Sequence, residues 1–152
     1  MIQSLMMNMR SGHGQHQRAV AIATDLGVSW TPLAHDSTLI EPVCQASIIR
    51  FTDRRDGWSK DRLLFSNPAN NDRPRIKMMV RVSYDERKTW PVEKLIDSGK
   101  TANSCLTVLS DGTVGLLYER GEKHATQRLA FARFNLEWLT DGKDELRKTS
   151  PW

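Results

Sequence analysis

Short stretches of alternating or continuous hydrophobic residues recur along the chain, separated by polar turns. These stretches span residues 4–9, 18–23, 47–51, 63–66, 78–83, 105–109, 114–118 and 129–134. Each has the length of a β-strand, and several are rich in β-branched residues. Turn-forming segments such as residues 70–72 (NND) and 110–112 (SDG) lie between them. The pattern predicts an all-β chain built from hairpins, with one short helix at about residues 136–146.

A repeated segment indicates which all-β architecture the chain adopts. Two segments share a template with aspartate at the third position and tryptophan at the eighth; they are residues 23–30 (ATDLGVSW) and 83–90 (SYDERKTW). Asp25 and Asp85 are expected to accept hydrogen bonds from backbone amides of a hairpin turn. Trp30 and Trp90 are expected to pack beneath these turns against the sheet. A hairpin unit repeated at this spacing predicts β-propeller blades of about four strands each.

The two segments differ at the turn glycine, since Gly27 of the first is replaced by Arg87 in the second. Glycine adopts positive φ angles without steric cost, whereas other L-residues do not. If the turn requires a positive φ at this position, we expect Arg87 to carry a strain of about 1 kcal/mol. A well-packed blade would tolerate that strain.

The composition excludes several classes of protein. The chain has 152 residues, 39% of them hydrophobic and 26% charged, which is the balance of one globular domain. A disordered chain, a coiled coil and a collagen-like fibre are excluded. No apolar run reaches the roughly 18 residues that a membrane span needs. The first ten residues lack a basic segment followed by a long apolar one, so we expect no signal peptide in them, and the sequence does not indicate a cellular location.

Cysteine and histidine usage gives no support for a metal or cofactor. Cys44 and Cys105 are too few for a disulfide scaffold or a four-ligand zinc site, and both are expected to be buried thiols. His13 and His16 lie on a glycine-containing loop without neighbouring carboxylates, which is typical of a solvated turn. We therefore expect no metal ion and no cofactor.

The net charge favours an acidic ligand of small size. Lysine and arginine number 22 against 18 aspartate and glutamate, which gives a formal charge of +4. Acidic residues are interspersed along the whole chain, and no basic stripe with interleaved aromatic residues is present. We therefore expect no nucleic-acid partner. A small anion held by a few selected arginines is the better hypothesis.

The chain resembles the sialidase (neuraminidase) family over nearly its whole length. The two repeated segments resemble the Asp-box, or BNR repeat, S-x-D-x-G-x-T-W. The N-x-R-S strand end of that family resembles residues 8–11 (NMRS), its C-Q-x-S strand residues 42–50 (PVCQASIIR), and its F-S-N-P segment residues 64–68 (LFSNP). The family's final blade resembles residues 104–119 (SCLTVLSDGTVGLLYE), and its closing strand resembles residues 131–139 (FARFNLEWL).

This resemblance implies a partial β-propeller: about three four-stranded antiparallel blades of the six-bladed sialidase fold, with a short C-terminal helix. Residues 1–140 would form the partial propeller and residues 141–152 a C-terminal tail. The family's N-terminal half would be absent, and with it the first arginine, the catalytic aspartate and the glutamate that partners the nucleophile. On this interpretation the chain is truncated.

The resemblance also assigns two substrate-binding arginines. Sialic acid carries a carboxylate on its anomeric carbon, and the family binds that anion with three arginines, whose planar guanidinium groups match a carboxylate. Arg10 resembles the second arginine and Arg75 the third, although Arg73 is a close alternative for the third. A solvated surface charge is the ordinary role of such residues, and only their motif positions argue otherwise.

The nucleophile position departs from the family pattern. Where sialidases read A-Y-S, residues 102–104 read ANS, so Asn103 stands in the place of the nucleophilic tyrosine. A carboxamide has no usable anion near neutral pH and cannot form the covalent glycosyl intermediate. Tyr118 is interpreted as a strand residue that does not replace the tyrosine, and Glu119 as structural rather than catalytic.

Three functions remain open on the sequence. The first is a sialidase-family glycosidase, whose family reaction hydrolyses terminal α-linked sialic acids from glycans; this chain alone would be weakly active or inactive. The second is a non-catalytic remnant that binds sialic acid or another anionic glycan. The third is an interaction module whose open blade edges pair with a partner or a second copy. Sialylated glycans or free sialic acid are the expected ligands.

Overall fold

The computed structural model describes residues 4–149 and shows two antiparallel sheets with one very short helix. The first sheet has the order β1 (Leu5–Met9), β2 (Gln17–Ala23), β3 (Ala34–Ile40). The second sheet also follows chain order: β4 (Ser47–Thr52), β5 (Arg62–Pro68), β6 (Ile76–Ser83), β7 (Val92–Val108), β8 (Val114–Gly121), β9 (Arg128–Phe134). The helix α1 (Leu136–Leu139) follows β9 directly. The prediction of an all-β fold is confirmed.

The 17-residue strand β7 divides the six-stranded sheet into two blades. Its first half, up to Lys100, pairs with β6, and its second half, from Lys100 onward, pairs with β8. We call β1–β3 the first blade, β4–β6 with the first half of β7 the middle blade, and the remaining strands the third blade. Four strands were expected in each blade. Within residues 4–149 the middle blade has four, and the first and third blades have three each.

Strand β3 and the first half of β7 escaped the sequence pattern because they are largely solvated. Strand β3 buries only Leu39, and no residue of β7 before Thr101 is fully buried. An edge strand of this kind needs no apolar run, so polar residues hide it. The helix is shorter than predicted and ends at Leu139 instead of residue 146, since Asp141 and Gly142 both adopt positive φ angles.

The hydrophobic core fills the middle and third blades. Its fully buried members include Leu64, Met78, Val80 and Leu116. A smaller cluster at the boundary between the first and middle blades contains Leu39, Leu63, Phe65 and Trp90. This second cluster fixes the first blade against the middle blade.

The C-terminal segment is tied to the middle blade by a buried ion pair. Arg62 is fully buried, and its Nε and Nη2 donate to the two carboxylate oxygens of Asp144 at 2.7 and 2.8 Å. Burial raises the pKa of the Asp144 carboxyl, but hydrogen bonds from Arg62 and Lys60 outweigh it, so the pKa lies below its ordinary value. Residues 140–149 therefore lie against the propeller strands.

The two repeated segments form equivalent turns. The carboxylate of Asp25 accepts from the Ser29 backbone amide at 3.0 Å, and that of Asp85 accepts from the Thr89 amide at 2.9 Å. Hydroxyls of Ser29 and Thr89 donate to the same carboxylates. Each turn is thus closed by its own aspartate.

The tryptophans of the two turns differ in burial. Trp90 is buried, donates from Nε1 to Asp36 of the first blade at 3.2 Å, and has its ring centroid 5.7 Å from that of Phe65. Trp30 is 38% exposed, and its ring still lies against its own turn, since Cζ2 is 3.7 Å from the position that a Cβ would take at Gly27. A neighbouring blade covers Trp90, whereas in the part of the chain that the structure describes no strand precedes β1 to cover Trp30.

The turn position that differs between the repeats does require a positive φ. Gly27 has φ of 90° and Arg87 has φ of 71°. This is the left-handed region, which costs an L-residue about 1 kcal/mol. Arg87 therefore carries the strain that the sequence comparison anticipated.

Replacing Arg87 by glycine is expected to stabilise the fold by about 1 kcal/mol, because the left-handed strain is removed. The free energy of unfolding in urea, at fixed protein concentration, measures the effect. Gly27→Ala is the matched control and should destabilise the fold by a similar amount, since it introduces a side chain at the same kind of position. Equal stability of Arg87→Gly and the unchanged chain would contradict the assignment of strain.

Candidate functional site

A cavity of about 530 Å³ opens where the start of the third blade meets the loops that follow β1 and β3. Its lining mixes polar and apolar side chains and includes Arg10, Gln45, Asn103, Glu119, Leu117 and Leu129. Arg10 and Asn103, two of the three residues that the sequence assigned to the site, therefore line one cavity. A cavity with a few convergent polar groups among apolar side chains suits a small polar ligand.

Asn103 reaches the cavity because of an irregularity in β7. The pairing between β7 and β8 shifts register between Thr101 and Ser104, and a shift of this kind changes the direction of the side chains within it. The side chain of Asn103 is exposed, whereas Ala102 and Ser104 on either side are buried. The backbone amide of Asn103 donates to Oε2 of Glu119 at 3.0 Å. The carboxylate of Glu119 is thus tied to the backbone of residue 103.

The thiol of Cys44 lies behind Asn103. Its Sγ is 3.7 Å from Oδ1 of the Asn103 carboxamide, within hydrogen-bonding distance for sulfur. Burial raises the pKa of this thiol, although the charge of nearby Arg75 opposes the shift. Cys44 is buried as predicted, whereas Cys105 is exposed, so the expectation of a second buried thiol is wrong. Cys105 occupies a position of β7 whose side chain faces away from the core.

Arg75 lies close to the loop that carries Cys44. It is half-buried, and its Nη2 donates to the carbonyl oxygen of Val43 at 3.0 Å. Its own carbonyl oxygen accepts from the amide of Thr101 at 3.0 Å, two residues before Asn103. Arg75 does not share the cavity wall with Arg10. Arg73, the alternative, is exposed on the preceding loop.

A buried ion pair holds the loops around the cavity, and the sequence analysis missed it. Nη1 of Arg18 donates at 2.8 Å both to Oε2 of Glu41 and to the carbonyl oxygen of Cys44. Nε of Arg18 donates to Oδ1 of Asn8 at 2.6 Å, and Oε1 of Glu41 accepts from the amide of Ser11 at 2.7 Å. Asn8 and Ser11 flank Arg10, so one network fixes both the Arg10 segment and the Cys44 loop. The signal available in the sequence was Arg18, a charged residue at the start of the apolar run 18–23.

Other chemical groups in the chain are engaged elsewhere or solvated. The hydroxyl of Tyr118 donates to Oδ2 of Asp97 at 3.2 Å. His13 is exposed and meets His35 edge-on at 6.0 Å. Among residues 4–149, no three histidine, cysteine, aspartate or glutamate side chains are grouped closely enough to hold a metal ion. No helix in the same range has the length and apolarity to cross a membrane.

Comparison with known proteins identifies the family. No family model matches the chain. It is 41% identical over 137 residues to a sialidase of Micromonospora viridifaciens, and 41% identical over 128 residues to a sialidase of Bacteroides fragilis. These alignments cover 89% and 80% of the chain. The chain belongs to the sialidase family.

The structure agrees with the sialidase family assignment. A Hadza microbial sialidase superposes with a TM-score of 0.76 at 38% identity, over 91% of this chain and 27% of that one. The chain spans 20% and 23% of the length of the two sialidases named above. The prediction of a sialidase propeller fold is confirmed, and the match extends over part of those proteins only.

Proposed function

We propose that the cavity is part of a sialic-acid site of a sialidase-family glycoside hydrolase, and that this site binds the sugar without using the covalent route to hydrolysis. The observation that carries the proposal is that Arg10 and Asn103 line the same cavity. The family resemblance assigns Arg10 to substrate binding and places Asn103 where a nucleophilic tyrosine is expected. The site combines a binding group with a residue that cannot act as the nucleophile.

The binding half of the proposal rests on guanidinium chemistry. A guanidinium stays charged at all ordinary pH values and donates two parallel hydrogen bonds to a carboxylate. Arg10 is exposed at the cavity and available for such a contact. Arg75 donates one N–H to the Val43 carbonyl, which leaves its remaining donors and its charge to assist. One guanidinium contact, assisted by the charge of Arg75 outside the cavity wall, supports weak binding, about millimolar in Kd.

The catalytic half of the proposal rests on what an amide cannot do. Sialidases are an exception among glycosidases in using a tyrosine nucleophile. A carboxamide has no nucleophilic anion at neutral pH, so the glycosyl-enzyme bond cannot form at Asn103. Burial raises the pKa of the neighbouring Cys44 thiol, which keeps it protonated and weakly nucleophilic.

A ligand titration tests the binding half. The chain is expected to bind N-acetylneuraminic acid at about millimolar Kd, measured by saturation-transfer NMR at neutral pH. Arg10→Gln should weaken binding about tenfold or more, because a charged pair to the carboxylate is lost. Arg54→Gln is the matched control, since Arg54 is an exposed arginine outside the cavity, and should leave binding unchanged. Equal affinity of the Arg10 and Arg54 variants would contradict the proposal.

We also propose that the chain self-associates through its terminal blades. Leu117, Leu129 and Phe131 of the third blade are 44%, 66% and 60% exposed, and Trp30 of the first blade is also exposed. Apolar side chains grouped at sheet faces and edges favour pairing or aggregation.

Light scattering after size-exclusion chromatography should therefore give a mass above 17.4 kDa that rises with concentration. Leu129→Lys combined with Phe131→Lys should lower that mass, because two charges would have to be buried in the contact. Asn71→Lys combined with Ser98→Lys is the control, since it adds the same two charges at exposed positions of the middle blade. A concentration-independent monomer of the unchanged chain would contradict self-association.

A further inference from the structure

The side-chain carboxamide of Asn103 contacts the protein through its oxygen and has no hydrogen-bond partner at its nitrogen within residues 4–149. Its oxygen Oδ1 faces the thiol of Cys44 at 3.7 Å. Its nitrogen Nδ2 donates no hydrogen bond to any atom of residues 4–149 and lies on the side chain that lines the cavity. The oxygen is held and the nitrogen remains available.

The state of the thiol explains this orientation. Cys44 is buried, and burial raises the pKa of the thiol, so at neutral pH it carries its proton. A protonated thiol donates a weak hydrogen bond, and the carboxamide oxygen is the group that can accept it. The NH₂ end of the same amide must then point away from Cys44, toward the cavity.

The backbone at residue 103 is also fixed. The amide N–H of Asn103 donates to Oε2 of Glu119 at 3.0 Å. The carbonyl oxygen of Cys44 accepts from the buried guanidinium of Arg18 at 2.8 Å. Both members of the Cys44–Asn103 contact therefore stand on anchored backbone, which makes the direction of Nδ2 reproducible from molecule to molecule.

We propose that Asn103 is a ligand-binding donor, whose Nδ2 donates a hydrogen bond to an oxygen on or beside the anomeric carbon of a sugar acid, and that Cys44 is the positioning residue that aims it. This inference rests on the proposed sialic-acid site and deepens it. The substitution at the nucleophile position then converts a reacting group into a recognition group. Arg10 supplies the charge on the same cavity wall, and Asn103 supplies a neutral, directed donor.

The most direct test observes the amide itself in the unchanged chain. The side-chain NH₂ resonances of Asn103, assigned by their loss in Asn103→Ala, should shift in a saturable way as N-acetylneuraminic acid is added. Their titration curve should give the same Kd as the backbone signals of the Arg10 segment. Resonances of Asn103 that stay fixed while those of Arg10 move would overturn the proposal.

Affinity variants test the donor and its positioning separately. Asn103→Asp keeps the size but replaces the donor by an anionic acceptor, and should weaken binding about tenfold or more. Asn103→Ala removes the whole carboxamide, and with it the donor, without adding a charge, and should weaken binding by about threefold to tenfold. Cys44→Ala should also weaken binding, whereas Cys44→Ser, whose hydroxyl can donate to Oδ1, should restore most of it. A merely structural role of Cys44 would not produce that rescue.

The outcomes distinguish the donor role of Asn103 from the proposed sialic-acid site on which it rests. If the unchanged chain shows no saturable binding, both the sialic-acid site and the role of Asn103 are overturned. If Arg10→Gln loses binding while Asn103→Ala keeps it, the site stands and the donor role of Asn103 is overturned. If Cys44→Ser and Cys44→Ala bind equally, the positioning role of Cys44 is overturned.

Discussion

Replacing Asn103 by tyrosine is expected to raise the rate of sialoside hydrolysis about a thousand-fold or more, when the chain is placed in a complete sialidase. The substitution supplies the covalent nucleophile that a carboxamide cannot replace. A suitable context is a chimera in which this chain replaces the matching segment of the Micromonospora viridifaciens sialidase. Asn103 lines a cavity of about 530 Å³ and its side chain is exposed, so the phenol has room to enter.

The stereochemistry of the product gives a second, independent readout. With tyrosine at position 103, two successive displacements should retain the anomeric configuration. With asparagine, any residual hydrolysis should proceed by direct attack of water in the space that the phenol would fill, and should invert it. Proton NMR of the first-released sialic acid distinguishes the two anomers before they equilibrate.

Asn103→Phe is the matched control for this prediction. Phenylalanine has the ring of tyrosine without the hydroxyl, so it should fill the cavity and leave the rate low. A gain in rate with phenylalanine would assign the effect to packing rather than to a nucleophile. Fast and retaining hydrolysis by the chimera with asparagine would show that the nucleophile lies at another residue.

The repeated turn segments made the architecture predictable from the sequence. The spacing of Asp25 and Asp85 from their tryptophans encodes a local structure, and each aspartate closes its own turn through contacts four residues away. Interactions of such short range are visible in a sequence. Strand β3 was not visible, because a solvated edge strand has no apolar pattern to reveal it.

The functional cavity was predictable only in part. Motif positions pointed to Arg10 and Asn103, which line one cavity. Nothing in the sequence pointed to the contact between Cys44 and Asn103, which joins residues 59 positions apart. The same holds for Arg18 and Glu41, because a buried ion pair depends on how two strands and a loop meet in space. Periodicity reports which face of a strand is buried and does not report its partner across the fold.

Removing Arg18 is expected to have the largest effect on stability of any single change around the cavity. The side chains of Arg18 and Glu41 are 4% and 0% exposed. Arg18→Met leaves the Glu41 carboxylate buried without its cation, which costs about 3–5 kcal/mol. For a domain whose total stability is about 5–15 kcal/mol, that is a large fraction. Urea unfolding at fixed protein concentration measures the loss.

A second substitution identifies the unpaired charge as the cause. Glu41→Gln in the Arg18→Met background keeps an acceptor for the Ser11 amide and removes the buried charge, so it should recover most of the lost stability. Arg133→Met is the control, since the ion pair between Arg133 and Asp111 is exposed and should contribute little. A double variant as unstable as Arg18→Met would assign the loss to packing instead of charge.

The same ion pair should control ligand binding as well as stability. Arg18 holds Asn8, two residues before Arg10, and the carbonyl oxygen of Cys44, which contacts Asn103. In the Arg18→Met/Glu41→Gln variant the fold is expected to persist, while the hydrogen bonds from residue 18 to the Asn8 side chain and to the Cys44 carbonyl are lost. Affinity for N-acetylneuraminic acid should then fall about threefold to tenfold, as for loss of one hydrogen bond, at nearly unchanged stability. Full affinity in this variant would show that Arg10 and Asn103 keep their geometry without the buried pair.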